Sequence, residues 1–326
     1  MLIKSFITGK RGEGFDSIED SIAIDISAGR FAVSDGVSKS FFPHVWSNIL
    51  VESWLSIDDV GLYPPVNLCE SFNIERSRIM EMVDETTRMD FEDMEELYHT
   101  ASATFCGVQL RDGILKWVVL GDTCLFLMLP GEQLRCISSR PMPTDESGHI
   151  TPSFDNLPNQ ILADGRVYGE WIRGEIPFEK GTVLLMSDAM SAWFINAHND
   201  DKDPLSQLLA LSDDHAFEQW VDEQVNLGSL ASDDESVVII QLEDTSQCNQ
   251  ETESEHITTT LEEQNATCEV PYNSIVQEGI SNPKIDKVES KNTHCFKLRK
   301  SKIDAILRLC KIKYKSNRGR KNGAKL

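Results

Sequence analysis

A chain of 326 residues, 40% hydrophobic and 26% charged, has the composition of an ordinary soluble globular protein, and length alone allows one large core or two smaller ones. Its longest apolar runs, such as Trp117 to Leu120 and Thr182 to Met186, are far too short to span a bilayer. The formal net charge of −22 is unevenly spread: from Lys284 onward 15 Lys/Arg face 3 Asp/Glu, so the remainder is strongly acidic, which sets it against binding nucleic acid.

The first residues, MLIKSFITGKRGEGF, lack the continuous apolar stretch and small-residue cleavage site of a secretory signal, so the expected compartment is the cytoplasm. In chain order, β-rich runs are expected at Ser21 to Ile26 and Arg30 to Val33, then a helix around His44 to Leu55. A second, long helical pattern runs from about Ile74 to Tyr98. Strands follow at Ala103 to Leu110, Ile114 to Leu120, Cys124 to Leu129, Gln133 to Ser138 and Thr182 to Met186. Helices near Met190 to His198, Leu205 to Leu211 and Ala216 to Val225 precede a closing strand at Ser236 to Leu242. Strands grouped before and after a helical pair predict an α+β layered sandwich of antiparallel sheets, since a parallel α/β fold would alternate the two regularly.

Apolar periodicity stops near Leu242, where EDTSQCNQETESEHITTTLEEQNATCEV is too polar to offset its ordering entropy. Three regions are therefore expected: a folded domain at 1–242, an acidic and polar flexible linker at 243–283, and a basic tail at 284–326. Within a mostly disordered tail, FKLRKSKIDAILRLCKIKY fits a basic amphipathic helix that could contact the acidic domain, a partner protein or an anionic membrane surface. The eight cysteines have no C-x-x-C pair and read as reduced thiols. The glycines of Gly9-Lys10-Arg11-Gly12 lack the P-loop ending and the following helix of a nucleotide cradle.

Four aspartates abut hydrophobic runs at strand ends or turns: Asp20 before Ser21, Asp35 in Val33-Ser34-Asp35-Gly36, Asp188 in Leu185-Met186-Ser187-Asp188, and Asp233 in Ser232-Asp233-Asp234-Glu235-Ser236. Any one of them is readily a turn or capping residue. Four in this context suggest hard-oxygen ligands for Mg²⁺ or Mn²⁺, held by rigid elements beside a core.

The arrangement resembles the protein phosphatase type 2C (PPM) family over about residues 1 to 242. It does so through five ordered motifs: Glu19-Asp20, AVSDGVS, VVLGDTCLFLM, LLMSDAMSAWF and DDESVVII. The resemblance implies a four-layer α-β-β-α sandwich of two antiparallel sheets flanked by helices. It also implies a metal-dependent Ser/Thr phosphatase with two Mg²⁺ or Mn²⁺ ions. By the same resemblance Asp35 is the bridging ligand, the Gly36 carbonyl joins one ion, Asp188 and Asp233 complete the second, and Asp20 with Glu19 acts through bound waters. Gly121-Asp122 is read as a structural turn.

The chain departs from the family pattern in several places. Val37-Ser38-Lys39-Ser40 replaces a glycine-rich continuation, Ala189 and Asp234 stand where Gly and Asn are usual, and no His adjoins Asp35-Gly36. Phe15 occupies the place of the phosphate-binding arginine, leaving Lys10 or Arg11, of which Arg11 has the guanidinium fork that suits phosphate. The implied substrate is a phosphorylated protein, with a Ser/Thr kinase or its target as partner. The alternative is a pseudophosphatase, a module that keeps the fold and binds a kinase or phosphoprotein without turnover.

Overall fold

The computed structural model describes residues 1–12, 17–98, 100–154 and 158–243. Apart from residue 243, the expected linker and the basic tail lie outside them. Thirteen strands and six α-helices follow in order: β1 (Leu2–Thr8), β2 (Ser21–Asp25), β3 (Arg30–Ser34), α1 (Pro43–Ser56), α2 (Leu68–Met82), α3 (Glu85–Tyr98), β4 (Ser102–Ala103), β5 (Phe105–Arg111), β6 (Ile114–Leu120), β7 (Cys124–Met128), β8 (Arg135–Ile137), β9 (Gln160–Leu162), β10 (Val167–Tyr168), β11 (Ile172–Pro177), β12 (Gly181–Met186), α4 (Asp188–Asn199), α5 (Pro204–Leu209), α6 (Asp214–Leu227) and β13 (Glu235–Leu242).

Two five-stranded sheets, ordered β1-β13-β12-β7-β8 and β11-β6-β5-β3-β2, are antiparallel throughout. Alternation along the strands decides how they stack. Phe31, Val33, Cys106, Val108, Trp117 and Val119 of the second sheet share one buried cluster with Leu125, Leu127, Val183, Leu185, Val238 and Ile240 of the first. The intervening positions of the first sheet, including Phe126, Leu184, Met186, Val237 and Ile239, pack instead on Met190, Trp193 and Phe194 of α4, Leu208 of α5 and Phe217 of α6.

On the outer face of the second sheet α1 is seated by two tryptophans. Trp54 Nε1 donates to Val108 O at 3.2 Å and its ring meets Phe105 edge-on, while Trp46 Nε1 donates to Ile161 O at 2.8 Å. Gly107 makes the seat possible, because a Cβ there would come within 2.8 Å of the Trp54 ring. The result is the expected α+β sandwich with helices outside both sheets. A third sheet, β10-β9-β4, adds three short strands.

Three local expectations are corrected. The helical pattern from Ile74 to Tyr98 is two helices, because Asp84 accepts the Thr87 amide at 2.8 Å and its hydroxyl at 3.0 Å, starting a new N-terminus. Leu2–Thr8 is a full strand, and the region between β8 and β12 carries three strands that sequence periodicity leaves as loop. Among the described residues, no helix is long and apolar enough to cross a membrane.

Candidate active site

Strand register brings the predicted acids together. In the second sheet Ser21 lies opposite Ser34, so Asp20, just before β2, stands beside Asp35, just after β3. In the first sheet Thr8 lies opposite Glu235, Met186 opposite Val237, and Cys124 opposite Met186. These pairings carry Gly9-Lys10, Asp233-Asp234, Asp188 and Asp122 to one end of that sheet. Because the two sheets share a core, the acids of both meet at one end of the sandwich.

Each acid is set by its local backbone. Asp20 is buried, and Ser236 Oγ donates to its Oδ2 at 2.6 Å, while its Oδ1 has no hydrogen-bond partner. Asp35 follows a fully buried strand. Thr104 N donates to the Asp35 carbonyl at 2.9 Å and Asp35 N to Thr104 Oγ1 at 3.3 Å, and that hydroxyl in turn pairs with Thr123. Gly36 N donates to Glu19 O at 3.2 Å, and a Cβ on Gly36 would sit 2.8 Å from both Glu19 O and the Pro43 carbonyl carbon. Only glycine permits the Asp35 turn to approach Glu19 and the start of α1 this closely. Asp188 opens α4, where a negative charge suits the helix N-terminus, and its Oδ1 accepts the Ala189 amide at 2.6 Å.

Asp233 and Asp234 differ in task. Asp234, almost fully buried, accepts the Lys10 amide on Oδ1 at 2.9 Å and the Glu19 amide on Oδ2 at 2.8 Å, tying both ends of the β1–β2 connection to β13. Asp233 is half-exposed, and its Oδ1 lies 2.8 Å from Lys10 Nζ.

Burial and mutual repulsion act on the whole group. Desolvation pushes Asp35 well above the usual carboxylate range, helped by the charges of Asp20, Asp188, Asp122 and Asp233; Asp20 is raised by burial and then by Asp234. Burial followed by Asp233 raises Asp188. Asp234 is pushed up to about 6, and Glu235, whose Oε2 has no hydrogen-bond partner, up to about 9, in both cases chiefly by burial. Among the described residues, no three Asp, Glu, His or Cys side chains form a closed metal cage; the acids make a looser group that shares one field.

Raised folded-state values mean that these carboxyls bind protons more tightly folded than unfolded. Their contribution to stability is present below the unfolded range near pH 4 and is lost as pH rises through about 6 for Asp234 and about 9 for Glu235. The depressed surface acids Asp25, Asp145, Asp164, Asp203 and Asp213 have the opposite sign, but act below that window. The melting temperature in EDTA should therefore fall from pH 5 to 9, and the fall should shrink with excess Mn²⁺. A melting temperature that climbs across this range in EDTA would contradict the assignment.

The two candidate cations take different places, and Asp122 lies in the turn between β6 and β7. Arg11 is not among the carboxylates: its Nη1 donates to Asn226 Oδ1 at 2.6 Å and its Nε lies 3.6 Å from Asp222, on the side of α6. Lys10 takes the place nearest the acids. Asp122, in the β6–β7 turn as expected, is also buried and contributes to the field on Asp35. No local sequence signal separates Lys10 from Arg11, because only the pairing of β1 with β13 across the chain places Lys10 beside Asp233. Arg11 and Lys10 both line a cleft of about 280 Å³ between the end of β1 and α6.

The sequence matches no protein-family model and no curated protein. Solved structures offer a weak likeness. The photosystem II phosphatase PBCP is 17% identical, with 74% of this chain and 98% of that one covered and a TM-score of 0.46. The Mycobacterium tuberculosis serine/threonine phosphatase PstP/Ppp is 18% identical, covering 75% and 100%, with a TM-score of 0.43. The Staphylococcus aureus serine/threonine phosphatase Stp1 is 16% identical, covering 75% and 96%, with a TM-score of 0.45. At such scores the functional reading has to stand on this chain's own carboxylates.

Proposed function

We propose that residues 1–242 form a divalent-metal-dependent phosphatase of the type 2C kind, acting on phosphoserine and phosphothreonine in proteins, with the linker and basic tail outside the catalytic domain. The observation that carries this reading is the meeting of Asp20, Asp35, Asp188 and Asp233 from four separate strand ends. Asp20 brings to it a buried carboxylate oxygen that has no hydrogen-bond partner. A buried acceptor left unmatched is costly unless a cation or water completes it. The donor set is all carboxylate and carbonyl oxygen, the chemistry of Mg²⁺ or Mn²⁺.

Asp35, with the Gly36 carbonyl, Asp188, Asp233 and Asp20 would hold the ions. When bound, they lower the pKa of a water to near neutrality and neutralise charge on a phosphoryl group. The chain's own residues do the positioning. Ser236 fixes one oxygen of Asp20, the Thr104 pair fixes the Asp35 turn, and Asp234 anchors the loop that carries Lys10. Arg11, whose guanidinium is half-exposed, is the proposed phosphate contact, exchanging Asn226 for phosphate oxygens.

Hydrolysis of a phosphothreonine peptide should require added Mn²⁺ or Mg²⁺ and cease in EDTA. Undiminished turnover after rigorous chelation would end the metal-dependent reading. Peptide binding without turnover at any metal concentration would instead identify a non-hydrolysing binding module. Arg11→Ala should raise KM for the phosphopeptide with a smaller change in kcat, and unchanged KM would remove Arg11 from the site.

A further inference from the structure

Lys10 stands among the carboxylates yet has no part in the proposed hydrolysis. Its backbone is fixed, because the Lys10 amide donates to Asp234 Oδ1 at 2.9 Å and β1 ends opposite Glu235. Its side chain is then directed at the acids: Nζ lies 2.8 Å from Asp233 Oδ1 and 3.9 Å from Glu19 Oε2, and donates to Ser38 Oγ at 3.1 Å. Ser38 belongs to the segment that follows Asp35-Gly36. The ammonium therefore bridges the Asp233 side of the site, on the first sheet, to the Asp35 side, on the second.

A positive charge at hydrogen-bond distance from a carboxylate oxygen competes with a divalent ion for that oxygen, and repels the ion as well. We propose that Lys10 is a built-in counter-cation of this site, occupying the Asp233 carboxylate so that a second divalent ion binds there weakly and only by displacing it. This rests on the reading of the acids as a metal site. A lysine ammonium ordinarily gives up its proton only at about pH 10, and the carboxylates of Asp233 and Glu19 beside it favour the charged form. The side chain keeps its charge at neutral pH. With a quarter of its surface exposed, it can leave the carboxylate without unpacking the core. The protein would thus hold one ion firmly, its second position set by metal concentration.

The test is Mn²⁺ binding to the full chain, read as free Mn²⁺ by electron paramagnetic resonance, for the native protein, Lys10→Met and Lys10→Arg. The native protein should show one tighter and one weaker ion. Lys10→Met should tighten the weaker ion by about tenfold or more, while Lys10→Arg, which keeps the charge, should follow the native curve. Lys10→Met should also melt lower than the native protein in EDTA and recover in Mn²⁺; if it fails to fold, Lys10→Gln takes its place in the titration. A neutral variant that binds Mn²⁺ no more tightly than the native chain overturns the proposal, as does the absence of binding to either. The outcome is separable from the phosphatase reading. Tighter binding in a chain that hydrolyses nothing keeps the counter-cation and ends the phosphatase, whereas an unchanged curve in an active enzyme does the reverse.

Discussion

Asp35→Asn should lower kcat toward a phosphothreonine peptide by about two orders of magnitude or more while leaving the protein at least as stable as before. The two effects have one origin. Asp35 is desolvated and lies in the field of Asp20, Asp188, Asp122 and Asp233, so an uncharged amide of nearly the same shape relieves repulsion in the folded state. The same change removes a charge from the place where charge must be stabilised during reaction, a loss of the kind that costs about 10²–10³ in rate. Asp188→Asn should behave similarly, since burial and Asp233 raise it in the same way. Steady-state kinetics and a thermal melt in EDTA on the same preparations decide the matter. Near-native rates in both variants would show that these acids are structural, and a sharp loss of stability in Asp35→Asn would show that its carboxylate holds the fold.

Trp54→Ala should destabilise the protein by about 3–5 kcal/mol, the usual cost of truncating a large buried aromatic residue. Trp54 is fully buried, packs edge-on against Phe105 and Tyr63, and donates its indole proton to Val108 O. Truncation leaves a void over Gly107, which has no side chain to fill it, and leaves Val108 O without that donor. Urea melts followed by circular dichroism measure the loss. A shift below about 1 kcal/mol would mean that α1 does not depend on this contact. Because the Pro43 end of α1 packs against the Gly36 turn, activity should fall at urea concentrations that leave most of the helical signal intact.

The sandwich was legible because its two sheets are made of short β-rich apolar runs, such as Phe105–Arg111 and Ile114–Leu120, buried over consecutive residues and joined by a tight turn. The candidate acids stood out because each adjoins such a run. What the sequence concealed was pairing across long separations. β1 looks like an unremarkable Leu-Ile-Lys-Ser-Phe-Ile-Thr segment until its partner, more than 200 residues away, is known, and only that partnership places Lys10 beside Asp233. Arg11, one residue further, turns to α6 instead, so neighbouring cations acquire different surroundings from a single register. The short strands β9 and β10 are stabilised by tertiary contact rather than by any run of their own, which is why composition passed them over.

The pairing of β1 with β13 also bears on how the protein is made. β1 leaves the ribosome first among the described strands, and its partner is completed only once residue 242 has been added. At about 5–20 residues per second the interval is on the order of ten to fifty seconds, during which a strand carrying Ile3, Phe6 and Ile7 has no native neighbour on its sheet. Four of the five strands of the second sheet have no such delay, since β2, β3, β5 and β6 are all synthesised by residue 120 and can pair in turn before β11 adds to the edge. Nascent chains should therefore acquire one half of the candidate acids, Asp20 and Asp35, well before the other half. A chaperone that shelters β1 during this interval would raise the yield of folded protein more than one acting on the finished chain.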